Sequence, residues 1–251
     1  EHVVLPSGVN TINSNAFEGC TSLHTINLDK INYVKNDAFS GCISLNNINT
    51  VSMLEIGSNA FKGCSALEEV NLSILATAET GVFSGCSSLN TVGKTTTLRE
   101  VKARAFEGCV SLKEIDLNRV NTALGAYAFY NCQLLATTGN MTLIPAIGEY
   151  AFYNCDALEI ADLTSAATLG KGSFWGCDKL KEVKTGVSLR AIPANAFEGC
   201  IALESIDLKQ LTDIHNYSFR ACPSLNNLNL ADAANIGVGS FYGCLMLAKM
   251  T

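Results

Sequence analysis

A single spacing runs through the whole chain, because every phenylalanine stands three residues before a cysteine. Successive pairs are 22 or 23 residues apart, and all 11 Phe and all 11 Cys belong to the series. The pairs are Phe17/Cys20, Phe39/Cys42, Phe61/Cys64, Phe83/Cys86, Phe106/Cys109, Phe129/Cys132, Phe152/Cys155, Phe174/Cys177, Phe197/Cys200, Phe219/Cys222 and Phe241/Cys244. Self-similarity at a fixed short period is the signature of stacked repeat units. The chain is therefore expected to form an elongated array and not an ordinary globular domain.

Apolar residues complete each unit. A Leu follows every Cys by three residues, and an aliphatic residue usually follows three later, giving the pattern I-x-x-x-A-F-x-G-C-x-S-L-x-x-I-x-L, as in residues 12–28. The alternating I-x-L end predicts a short strand whose apolar side chains point inward. The A-F-x-G-C segment predicts a tight turn or short helical turn whose Phe enters the core. One such unit cannot bury its own apolar face, so like residues are expected to stack as columns between units.

Charge and hydropathy narrow the classes of partner. The 251 residues carry a net charge of -6, and no run of Lys and Arg occurs, which argues against a nucleic-acid partner. No apolar stretch approaches the ~18 residues that a membrane-spanning helix needs. The first residues show no basic segment followed by an apolar one, so we expect no signal peptide within this chain.

The repeat residues resemble the BspA-like, or Treponema pallidum-type, class of leucine-rich repeats, and the resemblance runs from about Val4 to Met250. It implies an α/β fold: a leucine-rich-repeat solenoid in a right-handed superhelix. Parallel strands would line the concave face and short helical turns the convex face. We expect residues 1–251 to form one domain of about eleven units. Because neither end carries a polar cap, this domain is expected to be a fragment of a longer array, prone to end-to-end self-association.

The cysteines allow two interpretations. All eleven occupy one register, so they are expected to point inward as a reduced, buried column in which each behaves as a small apolar residue. Neighbouring Cα atoms about 5 Å apart would also permit some disulfides on distance alone, although side chains in parallel register point the same way. No C-x-x-C pair is present, so no metal site is predicted.

Catalytic signatures are lacking in the sequence. The three histidines, His2, His24 and His215, fall at different positions of distant units and are expected to be exposed polar residues. No H-E-x-x-H, Walker A or G-x-S-x-G motif occurs. The family motif carries no catalytic residues either. We therefore predict that the chain is not an enzyme and that it needs no cofactor.

Two surfaces are candidates for ligand binding. The first is the row of outward strand positions, which is polar and contains no aromatic residue. Its candidate residues are Asn47, Asn49, Glu69, Asn71, Thr91, Glu114, Asp116, Asp162, Glu182, Lys184, Asp207, Asn227 and Asn229. The alternative is that these amides and carboxylates bond to one another as a structural ladder. Departures from the repeat cluster at residues 91–97 and 136–140, which is where a site is expected on this face.

The second surface follows the column phenylalanines. Trp175, Tyr130, Tyr153 and Tyr242 each come directly after a column Phe, and aromatic residues at one position could form a contact stripe. The alternative is simple packing of a turn. The resemblance implies a surface or secreted, adhesin-like module that binds protein or glycan ligands, host extracellular-matrix proteins among them. The competing expectation is a structural spacer that holds other domains away from a cell surface.

Overall fold

The computed structural model describes residues 1–206, 210–226, 228 and 230–247, and all strand pairing in it is parallel. The chain winds as a β-solenoid in which each turn meets the next in the same register. Short strands form two rows. The strands of one row lie within the L-x-x-I-x-L segment, and those of the other row lie a few residues before the A-F segment. The parallel-strand solenoid predicted from the repeat is confirmed.

The first row contains the strands of the I-x-L segment. They are β1 His2–Val3, β3 Thr25–Ile26, β9 Ile160–Leu163, β11 Glu182–Thr185 and β13 Ser205–Ile206. Isolated parallel bridges continue this row at Thr25–Asn47, Glu69–Thr91 and Glu114–Thr137. The second row contains β2 Thr11–Ile12, β4 Tyr33–Val34, β5 Glu55–Ile56, β6 Thr77–Ala78, β7 Glu100–Val101, β8 Ala146–Ile147, β10 Thr168–Leu169, β12 Ala191–Ile192, β14 Asp213–Ile214 and β15 Asn235–Ile236.

The second row was not predicted. In β4, for example, Val34 is buried while Tyr33 is half-buried, and Tyr33 pairs with Glu55 of β5. Two residues are too few to display the alternation by which a strand is recognised in a sequence. The pairing is supplied by the neighbouring units and not by the pattern within one unit.

The prediction of short helical turns on the convex face is wrong, because the described residues contain no α-helix. The fold is therefore a β-solenoid and not α/β. The physical reason lies in two positions of each unit. The residue two before the column Phe and the residue before the Cys both have positive φ, as at Asn15 (φ 60°) and Gly19 (φ 69°). An α-helix requires φ near -63° throughout, so two left-handed residues four apart prevent a helical turn from forming.

The turns nevertheless satisfy their backbone groups. The N–H groups of Asn15, Phe17 and Gly19 donate to carbonyl oxygens of the next unit, at 3.1, 2.8 and 2.8 Å. Within the unit, the Cys20 N–H donates to the Phe17 carbonyl oxygen at 3.1 Å. The A-F-x-G-C segment is thus a third hydrogen-bonded ladder between units, and it buries its polar backbone at no cost in unmet hydrogen bonds.

The core is one continuous cluster of buried residues from Ile12 to Cys244. At its centre the phenylalanine rings form a stacked column, with adjacent ring centroids 5.1–5.9 Å apart. Rings such as Phe129 and Phe152 are fully buried and nearly parallel, at 5.3 Å and 6°. The predicted inward columns are confirmed, whereas the handedness of the superhelix, its curvature and its extension beyond this chain stay predictions.

Candidate functional site

The outward residues of the first strand row form a mostly polar surface, interrupted by the exposed Ile160, and this surface is called here the strand face. Of the predicted site residues, ten lie on it: Asn47, Asn49, Glu69, Asn71, Thr91, Glu114, Asp116, Asp162, Glu182 and Lys184. Asp207, Asn227 and Asn229 lie outside the described residues. The buried neighbours Ile48, Val70, Val92, Ile115 and Val183 anchor the row, so that the residues on either side of them point outward.

Four of these ten side chains form hydrogen bonds that stabilise the scaffold itself. The side-chain Oδ1 atoms of Asn49, Asn71, Asp116 and Asp162 accept hydrogen bonds from the backbone N–H two residues later, at 2.9–3.1 Å. Such bonds hold the chain in the turn that ends each strand. Of the lateral bonds expected in a structural ladder, one joins Asn49 Nδ2 to Asp29 Oδ1 at 2.7 Å.

The other six side chains accept no such bond from the backbone of their own turn. Glu69, Thr91 and Glu114 are exposed, and within the described part of the chain their side-chain atoms make no hydrogen bond except that Thr91 Oγ1 donates to Asn90 Oδ1 at 2.9 Å. Glu182 lies 3.8 Å from Lys184, and both side chains are about half exposed. These residues are therefore available to meet a ligand.

A shallow depression of about 250 Å³ lies on the strand face, across three adjacent units. It is lined by Thr91, Val92, Gly93, Glu114, Ile115, Asp116, Thr137 and Gly139. Gly93 and Gly139 have positive φ and bring no side chain, which opens the two sides of the depression next to the Glu114 and Asp116 carboxylates. These are the two segments where the repeat pattern departs from the other units. A second depression of about 280 Å³ lies at Asn47–Val51 and Glu69–Asn71.

The aromatic residues gather in a separate cluster. Tyr130 and Tyr153 stack at 4.7 Å and 7°, and Trp175 meets Tyr153 edge-on at 5.5 Å and 71°. A second pair, Tyr127 and Tyr150, stacks beside them with ring centroids 5.3 Å apart and planes inclined by 27°. We call these five half-buried residues the aromatic platform.

Tyr127 and Tyr150 were missed in the sequence. The signal that could have found them is a hexapeptide, Y-A-F-Y-N-C, which occurs unchanged at residues 127–132 and 150–155. The Arg104 guanidinium carbon lies 4.3 Å from the Tyr127 ring centroid, and Arg104 also pairs with Glu107 at 2.7 Å. Burial raises the pKa of the Tyr130 phenol, and the nearby Tyr153 and Glu107 raise it further, so this hydroxyl stays protonated.

The cysteines are reduced and serve the core. In the described residues every thiol is free, and all except Cys20 are buried. Burial raises the pKa of the Cys42 thiol to about 11, which removes nucleophilic thiolate at neutral pH. The predicted reduced column is the arrangement found.

No group of three or more His, Cys, Asp or Glu able to hold a metal ion occurs among residues 1–206, 210–226, 228 and 230–247. Over the same residues, no helix is long and apolar enough to cross a membrane.

The comparisons with known proteins agree with this geometry. A family model described as the BspA type leucine-rich repeat region matches in six copies, over residues 1–93, 55–168 and 145–251. A leucine-rich repeat protein from Bacteroides ovatus ATCC 8483 is 27% identical with a TM-score of 0.62, and the match covers 98% of this chain and 77% of that one. No curated protein sequence matches significantly.

Two further solved structures share the fold at lower identity. A leucine rich cell surface protein from Faecalibacterium prausnitzii A2-165 is 20% identical, with a TM-score of 0.54 over 98% of this chain and 86% of that one. A leucine-rich repeat protein from Eubacterium ventriosum ATCC 27560 is 15% identical, with a TM-score of 0.52 over 96% and 82%. Since the family model spans the chain from end to end, this protein belongs to the BspA-type leucine-rich repeat family.

Proposed function

We propose that this chain is a non-enzymatic binding module of a cell surface, adhesin-like in character, which engages a protein or glycan ligand through its strand face. The observation that carries the proposal is the depression around Glu114. There the two departing segments, residues 91–97 and 136–140, flank a unit that keeps the repeat, and the exposed Glu114 of that unit makes no hydrogen bond within the described part of the chain. The cell surface protein among the solved relatives supports the location.

The architecture supports a binding role because the backbone ladders and the buried columns hold the fold without help from the exposed strand residues. The stability of the stacked units therefore does not depend on the side chains at these exposed positions, and these side chains can contact a ligand. They are Glu69, Thr91, Glu114 and Glu182. Their mixture of carboxylates and hydroxyls fits a ligand that is rich in hydrogen-bond donors. Many weak contacts along a rigid row add up when the ligand is itself extended.

The test is binding of the purified chain to immobilised extracellular-matrix proteins and glycans, with the urea-denatured chain as a negative control. We expect saturable binding by the folded chain, weakened at least about tenfold by Glu114→Gln together with Thr91→Ala, the change that corresponds to ~1.4 kcal/mol of binding free energy. Asp178→Asn is the matched control, since Asp178 is an exposed carboxylate in a turn outside the strand face. Equal binding by both variants would exclude the depression as the site.

A second candidate is a structural spacer between a cell surface and other domains. One observation that favours it is that four side chains of the strand face bond to the backbone of their own turns, namely Asn49, Asn71, Asp116 and Asp162. Another is the lack of aromatic residues on this face, since tight interfaces are usually rich in Trp, Tyr and Arg. A chain that binds none of the immobilised ligands, yet resists denaturation as a rigid array, would favour the spacer over the binding module.

A further inference from the structure

We propose that the aromatic platform is a second binding site, for a neutral pyranose glycan, separate from the strand face. The platform consists of Tyr127, Tyr130, Tyr150, Tyr153 and Trp175, with the Arg104–Glu107 ion pair at its border.

Two tyrosines of the platform have an unusual backbone conformation. Tyr127 and Tyr150 have φ of 58° and 51°, a left-handed conformation that costs an ordinary L-residue about 1–2 kcal/mol. Most other units place Asn, Asp or Gly there, the residues that adopt this conformation most readily. Residues that are kept against a local backbone preference tend to mark functional sites. Arg104 and Tyr217 share this conformation, but only Tyr127 and Tyr150 stand in consecutive units with an identical hexapeptide and stacked rings, which favours a surface shaped for a ligand.

The exposed chemistry of the platform is polar as well as aromatic. Because the Tyr127–Tyr150 and Tyr130–Tyr153 pairs stack face to face, each hides ring surface and leaves ring edges and hydroxyls for contact. None of the four phenol groups makes a hydrogen bond within the described part of the chain. Hydroxyl groups that both donate and accept, such as those of a sugar, would be complementary to these phenols.

The arrangement of the rings sets the size of the ligand. Successive rings are 4.7 Å and 5.5 Å apart along the column Tyr130, Tyr153, Trp175, which is about the spacing that the stacked units impose on the phenylalanine column as well. The column spans only three units, which is small against the ≈ 800 Å² that each partner covers in a standard protein interface. It is sufficient for a few sugar rings.

Trp175 completes the site, because it turns 71° away from the Tyr153 ring and so leaves the stack. A ring that stands apart from the column can meet the apolar face of a sugar ring while the phenol hydroxyls bond its substituents. The border supplies charged partners, since the Arg104 and Glu107 side chains remain 49% and 24% exposed. Hydrogen bonds from sugar hydroxyls to such groups are stronger than those between neutral groups.

The sole tryptophan of the chain is Trp175, so its fluorescence reports on this site directly. We would titrate the folded protein with cellotetraose, chitotetraose, maltotetraose and laminaritetraose, and with a heparin tetrasaccharide as an anionic control. The expected result is a saturable change in Trp175 emission with at least one neutral tetrasaccharide and none with heparin.

The variants are chosen so that folding is preserved. Tyr127→Asn with Tyr150→Asn installs the residue that Asn15, Asn59 and Asn195 show to be compatible with this turn, and should weaken binding at least about tenfold by removing one ring column. The matched control is Tyr217→Asn, the same change at the same position of a distant unit with φ 59°. It should leave the affinity unchanged.

A subtler variant separates hydroxyls from rings. Tyr130→Phe with Tyr153→Phe keeps the stack and removes two hydroxyls, and should weaken binding by about five- to thirtyfold, as the loss of one or two hydrogen bonds does. Unchanged affinity in this variant would overturn the hydrogen-bonding role.

Three other outcomes would overturn the assignment. They are no emission change with any neutral tetrasaccharide at millimolar concentration, full binding by the Tyr127→Asn/Tyr150→Asn variant, and binding of a matrix protein that this variant abolishes. Glu114→Gln tests the strand face independently, so failure at one surface leaves the other standing.

Discussion

The thiol of Cys132 donates a hydrogen bond to the main-chain carbonyl oxygen of Phe106, one unit earlier, with Sγ and O 3.1 Å apart. The same oxygen accepts the N–H of Cys109, which closes the turn of its own unit. One carbonyl group therefore joins the local turn to the neighbouring unit. The arrangement recurs from Cys42 to Cys244 along the described chain, at 3.0–3.2 Å.

Replacing this thiol should measure its contribution. Cys132→Ala removes a buried sulfur and its hydrogen bond but leaves no orphaned acceptor, because Phe106 O keeps its bond from Cys109. We expect a loss of about 1–2 kcal/mol in the free energy of unfolding, measured by urea denaturation. Cys20→Ala is the control, since Cys20 is exposed and should tolerate the change within about 0.5 kcal/mol. Equal losses in the two variants would refute the role given to the buried bond.

The thiol column should also make the protein sensitive to alkali. Burial raises the pKa of the Cys42 thiol from 9.0 to about 11 and raises the pKa of the thiols from Cys64 to Cys200 still further. Above pH 9 the unfolded chain releases thiol protons that the folded chain retains, so the free energy of unfolding falls as pH rises. Below pH 9 this stabilisation is fully present.

The expected slope is up to about 1.4 kcal/mol per pH unit for each protected thiol. Urea midpoints measured from pH 8 to pH 10.5 should therefore fall steeply above pH 9, and Cys132→Ala should make the fall shallower by one thiol. A midpoint that stays constant over this range would show that the thiols are not protected in the folded state.

The phenylalanine and cysteine columns were predictable because each residue type recurs at the same position of every unit. Stacked units place equivalent positions on top of one another, so equal residues form a column. The turn was not, because the left-handed residues at Asn15 and Gly19 look locally like the start and end of a short helix. Only the structure shows that the N–H groups of these residues donate to carbonyl oxygens of the next unit instead of closing a helical turn.

The candidate sites divide in the same way. The exposure of Glu69 and Glu114 could be predicted from the alternation of inward and outward residues within a strand. The hydrogen bond that Asp116 accepts from the Asn118 N–H could not, because it depends on the geometry of a turn that the repeat pattern does not specify. The grouping of Tyr127 with Tyr130 arises from the return of the chain at Phe129, which brings residues three apart to a ring distance of 5.6 Å. The rings of this pair then stack on the rings at the same two positions of the next unit, Tyr150 and Tyr153.

Truncation of a column ring should be costly. Phe152 is fully buried between Phe129 and Phe174, at 5.3 and 5.1 Å, so Phe152→Ala should lower the free energy of unfolding by about 3–5 kcal/mol. Phe17 is only partly buried at the end of the column, and Phe17→Ala should cost less. Both are measured by urea denaturation, and a loss below about 1 kcal/mol at Phe152 would rule out a central role for the column.

A buried hydroxyl offers a stabilising change. Ser173 is fully buried and its Oγ has no hydrogen-bond partner in the described structure, at a position where most other units have Ala. Ser173→Ala should raise the free energy of unfolding by about 1 kcal/mol, because an unmet buried polar group is removed. Ser218→Ala is the matched control, since the Ser218 Oγ donates to the His215 carbonyl oxygen at 2.6 Å. That variant should gain nothing, and a similar gain in both would contradict the explanation.

The two acidic residues of the strand-face depression should behave differently. Asp116 Oδ1 accepts the N–H of Asn118 at 2.9 Å, whereas Glu114 is exposed and has no partner within the described chain. Asp116→Ala should therefore cost about 0.5–1.5 kcal/mol in the free energy of unfolding, while Glu114→Ala should stay within about 0.5 kcal/mol of the parent. Asp116→Asn keeps an acceptor and should restore most of the loss. If Glu114→Ala proves as damaging as Asp116→Ala, Glu114 also belongs to the scaffold, and the strand face loses the residue best placed to meet a ligand.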